Sequence, residues 1–164
     1  MKKFLLIVFV FALFSACTSD KVTTYYLIRH AEKDRTNNTN INPNLNSDGL
    51  LRAEKWAKHF KYIELDAVYS TDYKRTQQTA APTAKSKGLI IQSYNSSKMY
   101  DSIFKKNTKG KTVLVVGHSN TTPVFANTIL GQKKYKNMAD NDNASLYIVT
   151  VFNDKKSSEI KKVN

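Results

Sequence analysis

The sequence predicts an α/β fold of three layers, with helices on both faces of a mostly parallel central sheet. Three observations carry that expectation. Short apolar runs suited to buried strands recur at residues 25–29, 65–70, 89–92, 111–116 and 145–152. Stretches with helical spacing or capping residues lie between most of them. The chain's 164 residues, 41% of them hydrophobic, suffice for one domain with a core and leave no room for a second.

Residues 1–16 read as an address. Lys2-Lys3 is a positive start, and the apolar stretch from Phe4 to Phe14 is too short to span a membrane comfortably. It ends Leu13-Phe14-Ser15-Ala16-Cys17, and Cys17 is the chain's one cysteine. The segment resembles a bacterial lipoprotein signal, with Cys17 as the lipidated first residue of a membrane-anchored envelope protein. Phe14 stands where such signals usually carry leucine. An ordinary secretory signal cut near Ala16, or a retained anchor, is the alternative. No internal disulfide is available. Removal of residues 1–16 leaves 24 basic and 13 acidic residues, a formal +11 against +13 for the whole chain. That charge favours anionic partners: phosphorylated molecules, nucleic acid or an acidic membrane surface.

Polar residues 17–24 read as a tether, and the domain as residues 25–164. The first strand ends on Arg29 and His30. The Asn- and Thr-rich segment 32–44 is a loop by composition. Asn46, Ser47 and Asp48 offer caps for a helix whose Leu50, Ala53, Ala57 and Phe60 form a core stripe with Trp56 beside them, His59 falling on its surface. After the second strand, Thr71 or Asp72 is the expected cap of a helix with Arg75 in its first turn. Pro82 is expected to bend or shorten that helix, and Gly88 to end it. A modest strand at 89–92 and a short helix bearing Ile103 and Phe104 follow, with Asp101 just ahead of it. The run 111–116, opening after Gly110, is the densest in β-favouring residues. Thr122 is the expected cap and Pro123 the first residue of a helix closing at Gly131. Residues 132–143 form a polar loop, and 145–152 a strand whose hairpin partner is expected at 159–163.

In a parallel sheet the carboxyl ends of the first, second and fourth strands converge, bringing Arg29, His30, Arg75 and His118 into one pocket. Two guanidiniums would repel a metal cation, and no acidic cluster accompanies them. They suit phosphate. Arginine binds its oxygens bidentately and spreads the charge that grows during phosphoryl transfer, and a neutral imidazole can attack phosphorus.

Three stretches carry a resemblance: Leu27-Ile28-Arg29-His30-Ala31-Glu32, the run Ser70-Thr71-Asp72-Tyr73-Lys74-Arg75-Thr76-Gln77-Gln78-Thr79-Ala80, and Val115-Val116-Gly117-His118-Ser119-Asn120. In this order they resemble the signatures of the histidine phosphatase superfamily, the phosphoglycerate-mutase-like fold. Leu45 to Gly49 sits where that family has a Leu-Thr/Ser-x-x-Gly turn. The resemblance implies that His30 is the nucleophile, Arg29 and Arg75 hold the phosphoryl oxygens, and His118 completes the pocket. Asn120 and Ser119 would be substrate-binding. It implies no cofactor. Only 42 residues separate Arg75 from His118, so the cap that larger members insert there is minimal, as in the short branch that includes protein-phosphohistidine phosphatases. Asp101 is the segment's expected leaving-group acid, with a helix cap as its other reading and Glu32 in reserve.

The function expected is therefore a metal-independent phosphatase of the envelope, acting on a phosphorylated small molecule or phosphoprotein. A phosphoglycerate-mutase-type transferase and a non-catalytic lipoprotein that captures phosphorylated ligands are the rivals. Nucleic acid is not expected as a partner, because the basic residues are spread along the chain without a cluster.

Overall fold

The computed structural model describes residues 21–163, so the proposed signal and Cys17 lie outside the described residues. Six strands and four helices alternate: β1 (Thr23–Arg29), α1 (Ser47–His59), β2 (Ala67–Ser70), α2 (Lys74–Lys87), β3 (Ile91–Ser93), α3 (Ser102–Thr108), β4 (Thr112–Gly117), α4 (Thr121–Leu130), β5 (Ser145–Phe152) and β6 (Lys155–Lys162). They form one sheet in the order β3-β2-β4-β1-β5-β6. The first four positions are parallel, and the β5–β6 hairpin adds antiparallel pairs at one side.

Alternation along the strands divides the core. Tyr25, Leu27, Val113 and Val115 face α3 and α4, meeting Phe104, Phe125 and Ile129. Ile28, Leu114 and Val116 face α1 and α2, meeting Trp56, Phe60, Ala80 and Ala84. β2 is buried throughout, as a strand covered on both faces must be. β6 is almost wholly exposed and carries four lysines along its length.

Several local expectations are corrected. The tether ends earlier, because Thr23 already pairs in β1 and its hydroxyl accepts the Gly110 N–H at 2.8 Å. α1 buries Gly49, Ala53 and Trp56, with Phe60 at its C-cap. Leu50 is turned outward and 52% exposed, because Gly49 takes the inward place against the 31–34 segment. α2 runs unbroken through Pro82, so only the Gln78 carbonyl lacks its usual helical donor. Its cap position is Tyr73, without a side-chain bond, because Asp72 instead accepts from the Ser93 hydroxyl. The buried face of α2 is Thr76, Thr79, Ala80, Thr83 and Ala84, hydroxyls where an apolar stripe is usual. α4 starts two residues early, capped by Asn120, which leaves Pro123 in the first turn, where its missing N–H has no bond to lose.

Gly49 fixes where α1 meets the loop after β1. A Cβ there would stand 2.1 Å from the Glu32 carbonyl oxygen, the same oxygen that accepts the Asn46 N–H at 3.0 Å. Gly49→Ala is therefore expected to destabilise the fold by about 1–3 kcal/mol, measured as a lower urea midpoint at unchanged slope.

Candidate active site

The register of the parallel strands places the chemistry. Arg29 pairs with Gly117, and Ser70 with Val116, so the residues that follow, His30, His118 and Thr71, leave three adjacent strands at one edge. The His30 N–H donates to the Gly117 carbonyl at 2.9 Å, and the two imidazole centroids lie 5.5 Å apart. The loop behind His30 is braced from two sides. Asn143 donates to the His30 carbonyl at 2.8 Å, and the Thr79 hydroxyl accepts the Ala31 N–H at 2.9 Å.

Each ring's tautomer follows from its partner. His30 Nδ1 lies 2.7 Å from the Ala31 carbonyl, which can only accept, so Nδ1 carries the hydrogen and Nε2 keeps its lone pair. His118 Nδ1 faces Arg75 Nη2 at 3.5 Å, and a guanidinium can only donate. His118 Nε2–H therefore donates to Thr71 Oγ1 at 3.0 Å, whose own hydrogen passes to Thr76 Oγ1. Arg75 is steadied by the Tyr73 ring, 4.4 Å from its guanidinium carbon, and Tyr73 meets His118 edge-on at 5.0 Å.

Both histidines are held uncharged. Burial lowers His30 from 6.5 to about 3, and Arg29, Arg75 and His118 push the same way against the Ala31 hydrogen bond. His118 is lowered to about 4, by burial first and then by Arg75, Arg29 and Lys33.

Arg29, 3% exposed, is turned onto the 132–143 loop. Its Nη1 donates to the carbonyls of Ala139 and Asp140 at 2.9 and 2.8 Å, and its Nη2 meets the Asp140 carboxylate at 3.2 Å. Arg29 Nε and Arg75 Nε remain buried without a partner. A cleft of about 670 Å³ opens above Arg29 and His30 between residues 32–36 and the Asp140–Asn143 stretch.

The structure thus brings Arg29, His30, Arg75 and His118 together and gives the other candidates local partners. Asp101 is the N-cap of α3, accepting the Phe104 N–H at 2.8 Å. The segment around it packs on Tyr25, four residues upstream of Arg29. Of the two expectations for Asp101, the helix cap is the one seen in the structure, through one oxygen of its carboxylate. Asn120 is exposed and caps α4 through the Thr121 N–H. Ser119 follows His118 and accepts the Met138 N–H with its carbonyl. Glu32 lines the cleft but is held by both oxygens on Arg52 Nε, at 2.7 and 2.9 Å. Sequence reasoning missed Thr71 as a histidine partner, Thr79 and Asn143 as braces, and Asp140 as the Arg29 counter-ion. Thr71 and Thr79 lay inside a quoted motif. Asn143 and Asp140 sat in a loop whose composition gives no sign of contact with residues 110 positions away. Among the described residues no three His, Cys, Asp or Glu side chains converge as metal ligands.

The model of the histidine phosphatase superfamily (branch 1) matches residues 25–97. Among solved structures the chain is similar to a phosphoglycerate mutase from Bacillus anthracis, at 16% identity over 85% of this chain and 92% of that one, TM-score 0.66. It is similar to a candidate phosphohistidine phosphatase, SixA, from Agrobacterium tumefaciens, at 20% identity over 85% and 97%, TM-score 0.62. A mycobacterial glucosyl-3-phosphoglycerate phosphatase shares 11% identity over 88% and 99%, TM-score 0.64. These likenesses are of fold. No curated protein matches the chain at the sequence level.

The depressed histidines make stability pH-dependent. Between the unfolded value near 6.5 and the folded value near 3, the unfolded chain binds the His30 proton and the folded one does not. Stability is therefore lost as pH falls through that window, by at most about 1.4 kcal/mol per pH unit for this group. A dianion in the pocket favours the protonated rings and opposes the loss. Sulfate, dianionic throughout, is expected to raise the thermal midpoint more at pH 5 than at pH 7, and His30→Asn to shrink that difference.

Proposed function

We propose that this chain, whose residues 25–97 match the model of the histidine phosphatase superfamily, is a metal-independent phosphatase working through a phosphohistidine on His30. The observation that carries the reading is the His30 ring itself: neutral, its Nδ1 occupied by the Ala31 carbonyl, its Nε2 free beside His118 and two guanidiniums. The Arg29 and Arg75 charges favour a phosphoryl group there and its more highly charged transition state. Nε2 attacks phosphorus, the N–P bond forms as the bond to the leaving group breaks, and the leaving group departs with the electron pair. Water then attacks phosphorus, the N–P bond breaks, and inorganic phosphate is released. The net change is substrate plus water giving alcohol or amine plus phosphate.

The cleft's carboxylates say something about the leaving group. Glu32 is held on Arg52, and Asp140 lies below the usual carboxylate range because Arg35 and Arg29 hydrogen-bond to it. Asp34, the third carboxylate of the cleft, is lowered by hydrogen bonds from Thr36, so the two aspartates carry no proton to give. That favours leaving groups needing little help, such as the imidazole of a phosphoramidate or an aryloxide, over simple alkoxides.

We propose further that the enzyme is a lipid-anchored protein of the cell envelope. The support is the sequence of residues 1–17 alone. Among the described residues no helix is long and apolar enough to cross a membrane. Palmitate labelling of the full chain in its host is expected to disappear in Cys17→Ser.

For the chemistry, hydrolysis of p-nitrophenyl phosphate with EDTA present is expected to fall more than about a thousandfold in His30→Ala. Rapid acid-free quenching is expected to trap an acid-labile, base-stable phosphoryl group on the wild-type protein. Ligand binding without turnover by the wild type would instead identify a capture protein.

A further inference from the structure

The side of the molecule opposite the active site has a character of its own. Parallel strands that deliver His30 and His118 at their carboxyl ends must begin together at the other end, and Thr23, Ala67, Ile91 and Thr112 do so. The connections entering these strands all carry lysine: Lys21 ahead of β1, Lys61 after α1, Lys87 at the end of α2, and Lys109 and Lys111 after α3. The β5–β6 turn lies on the same side, because Val151 pairs with Thr23, and it adds Lys155. These six cations face three acids, Glu64, Asp66 and Asp154, and among the described residues none of them enters an ion pair. Lysines spread along the chain are thus gathered by the fold. Apolar side chains stand among them. Tyr62 and Ile90 are 86% and 80% exposed, and Val22 and Phe152 are exposed at the start of β1 and the end of β5. A cavity of about 520 Å³ opens here between α3 and the β5–β6 turn, with Lys105, Lys106 and Lys109 on its wall and Asp154 its one acid. Single exposed apolar groups are ordinary on a protein surface. Set among unpaired lysines on one side, they match a bilayer interface, where rings and alkyl chains enter the headgroup layer and ammoniums meet lipid phosphates.

We propose that this side docks on an anionic bilayer, with its lysines on phospholipid phosphates and Tyr62 and Ile90 in the headgroup layer. A lipid on Cys17 would act in the same place. Cys17 stands six positions before Thr23, a reach of roughly 20 Å at most, and the chain enters the fold on this side. The inference goes beyond the phosphatase reading and does not need it. With seven residues, β1 then holds His30 roughly 20 Å above the membrane. The cleft opens to the aqueous side, so its substrates arrive from solution and not from the lipid beneath.

The full chain mixed with vesicles tests it, with lysine acetylation by a water-soluble reagent read residue by residue by mass spectrometry. Phosphatidylglycerol vesicles are compared with phosphatidylcholine vesicles, and any lipid on Cys17 is common to both. Each lysine at an anionic surface is worth about fivefold in binding, so Lys61, Lys109, Lys111 and Lys155 are expected to react at least about fivefold more slowly on phosphatidylglycerol. Lys33 and Lys74, more than a screening length away at the other end of the strands, are expected to change by less than about twofold. Salt at about 1 M, which cuts the screening length to about 3 Å, is expected to abolish the protection. The combined variant Lys61→Glu, Lys109→Glu, Lys111→Glu is expected to lose the protection of Lys155 and to keep the wild-type thermal midpoint, because surface substitutions of this kind cost little stability. Equal reactivity on the two vesicles, protection shared by Lys33 and Lys74, or protection of Lys155 that survives the variant overturns the docking face. Protection as strong from an oligonucleotide or from glycerol phosphate overturns it as well. Hydrolysis of p-nitrophenyl phosphate is read separately, so the phosphatase reading stands or falls apart from these outcomes.

Discussion

Two imidazoles kept neutral beside two guanidiniums are the constraint on which this molecule depends. A protonated His30 would have no lone pair to offer and would add a positive charge to a place that already holds Arg29 and Arg75. Burial does most of the work of keeping the proton off, and the arginines reinforce it. The Ala31 carbonyl pulls the other way but fixes which nitrogen is free. The parallel register sets the geometry: with Arg29 opposite Gly117, the two rings leave neighbouring strands at one level without a long loop to hold them.

The surrounding helices and loops are shaped by the same need. α2 gives up part of an apolar face for threonines, and its hydroxyls are used: Thr79 receives the Ala31 N–H, and Thr76 closes a chain that begins at His118. The 132–143 loop, far along the chain, supplies the carbonyls that grip Arg29 and the amide that holds His30 in place. The site is thus assembled from local strand ends and locked by one distant segment.

Much of this was legible because the strands follow simple rules. Apolar runs of alternating face gave β1 and β4, and a run ending in Arg29-His30 or His118 could end only at a sheet edge. What was not legible came from contacts that composition does not encode. Asp101 has the side chain of an acid catalyst and of a helix cap alike, and only the structure shows its oxygen on the Phe104 N–H. Leu50 satisfied the helical stripe, yet the close approach of Gly49 to Glu32 rotated the helix so that leucine faces water. The hairpin partner of β5 was expected at 159–163 and begins at Lys155, because a strand made of lysine and serine carries no apolar signal.

That last strand has a consequence of its own. By pairing along the whole of β5, from Ser145 opposite Lys162 to Phe152 opposite Lys155, it takes up the row of peptide groups that would otherwise end the sheet. Its outward lysines then make the new margin repel a like margin on another molecule. A chain shortened to end at the hairpin turn would bare the more apolar strand beneath, and such molecules would join edge to edge into aggregates.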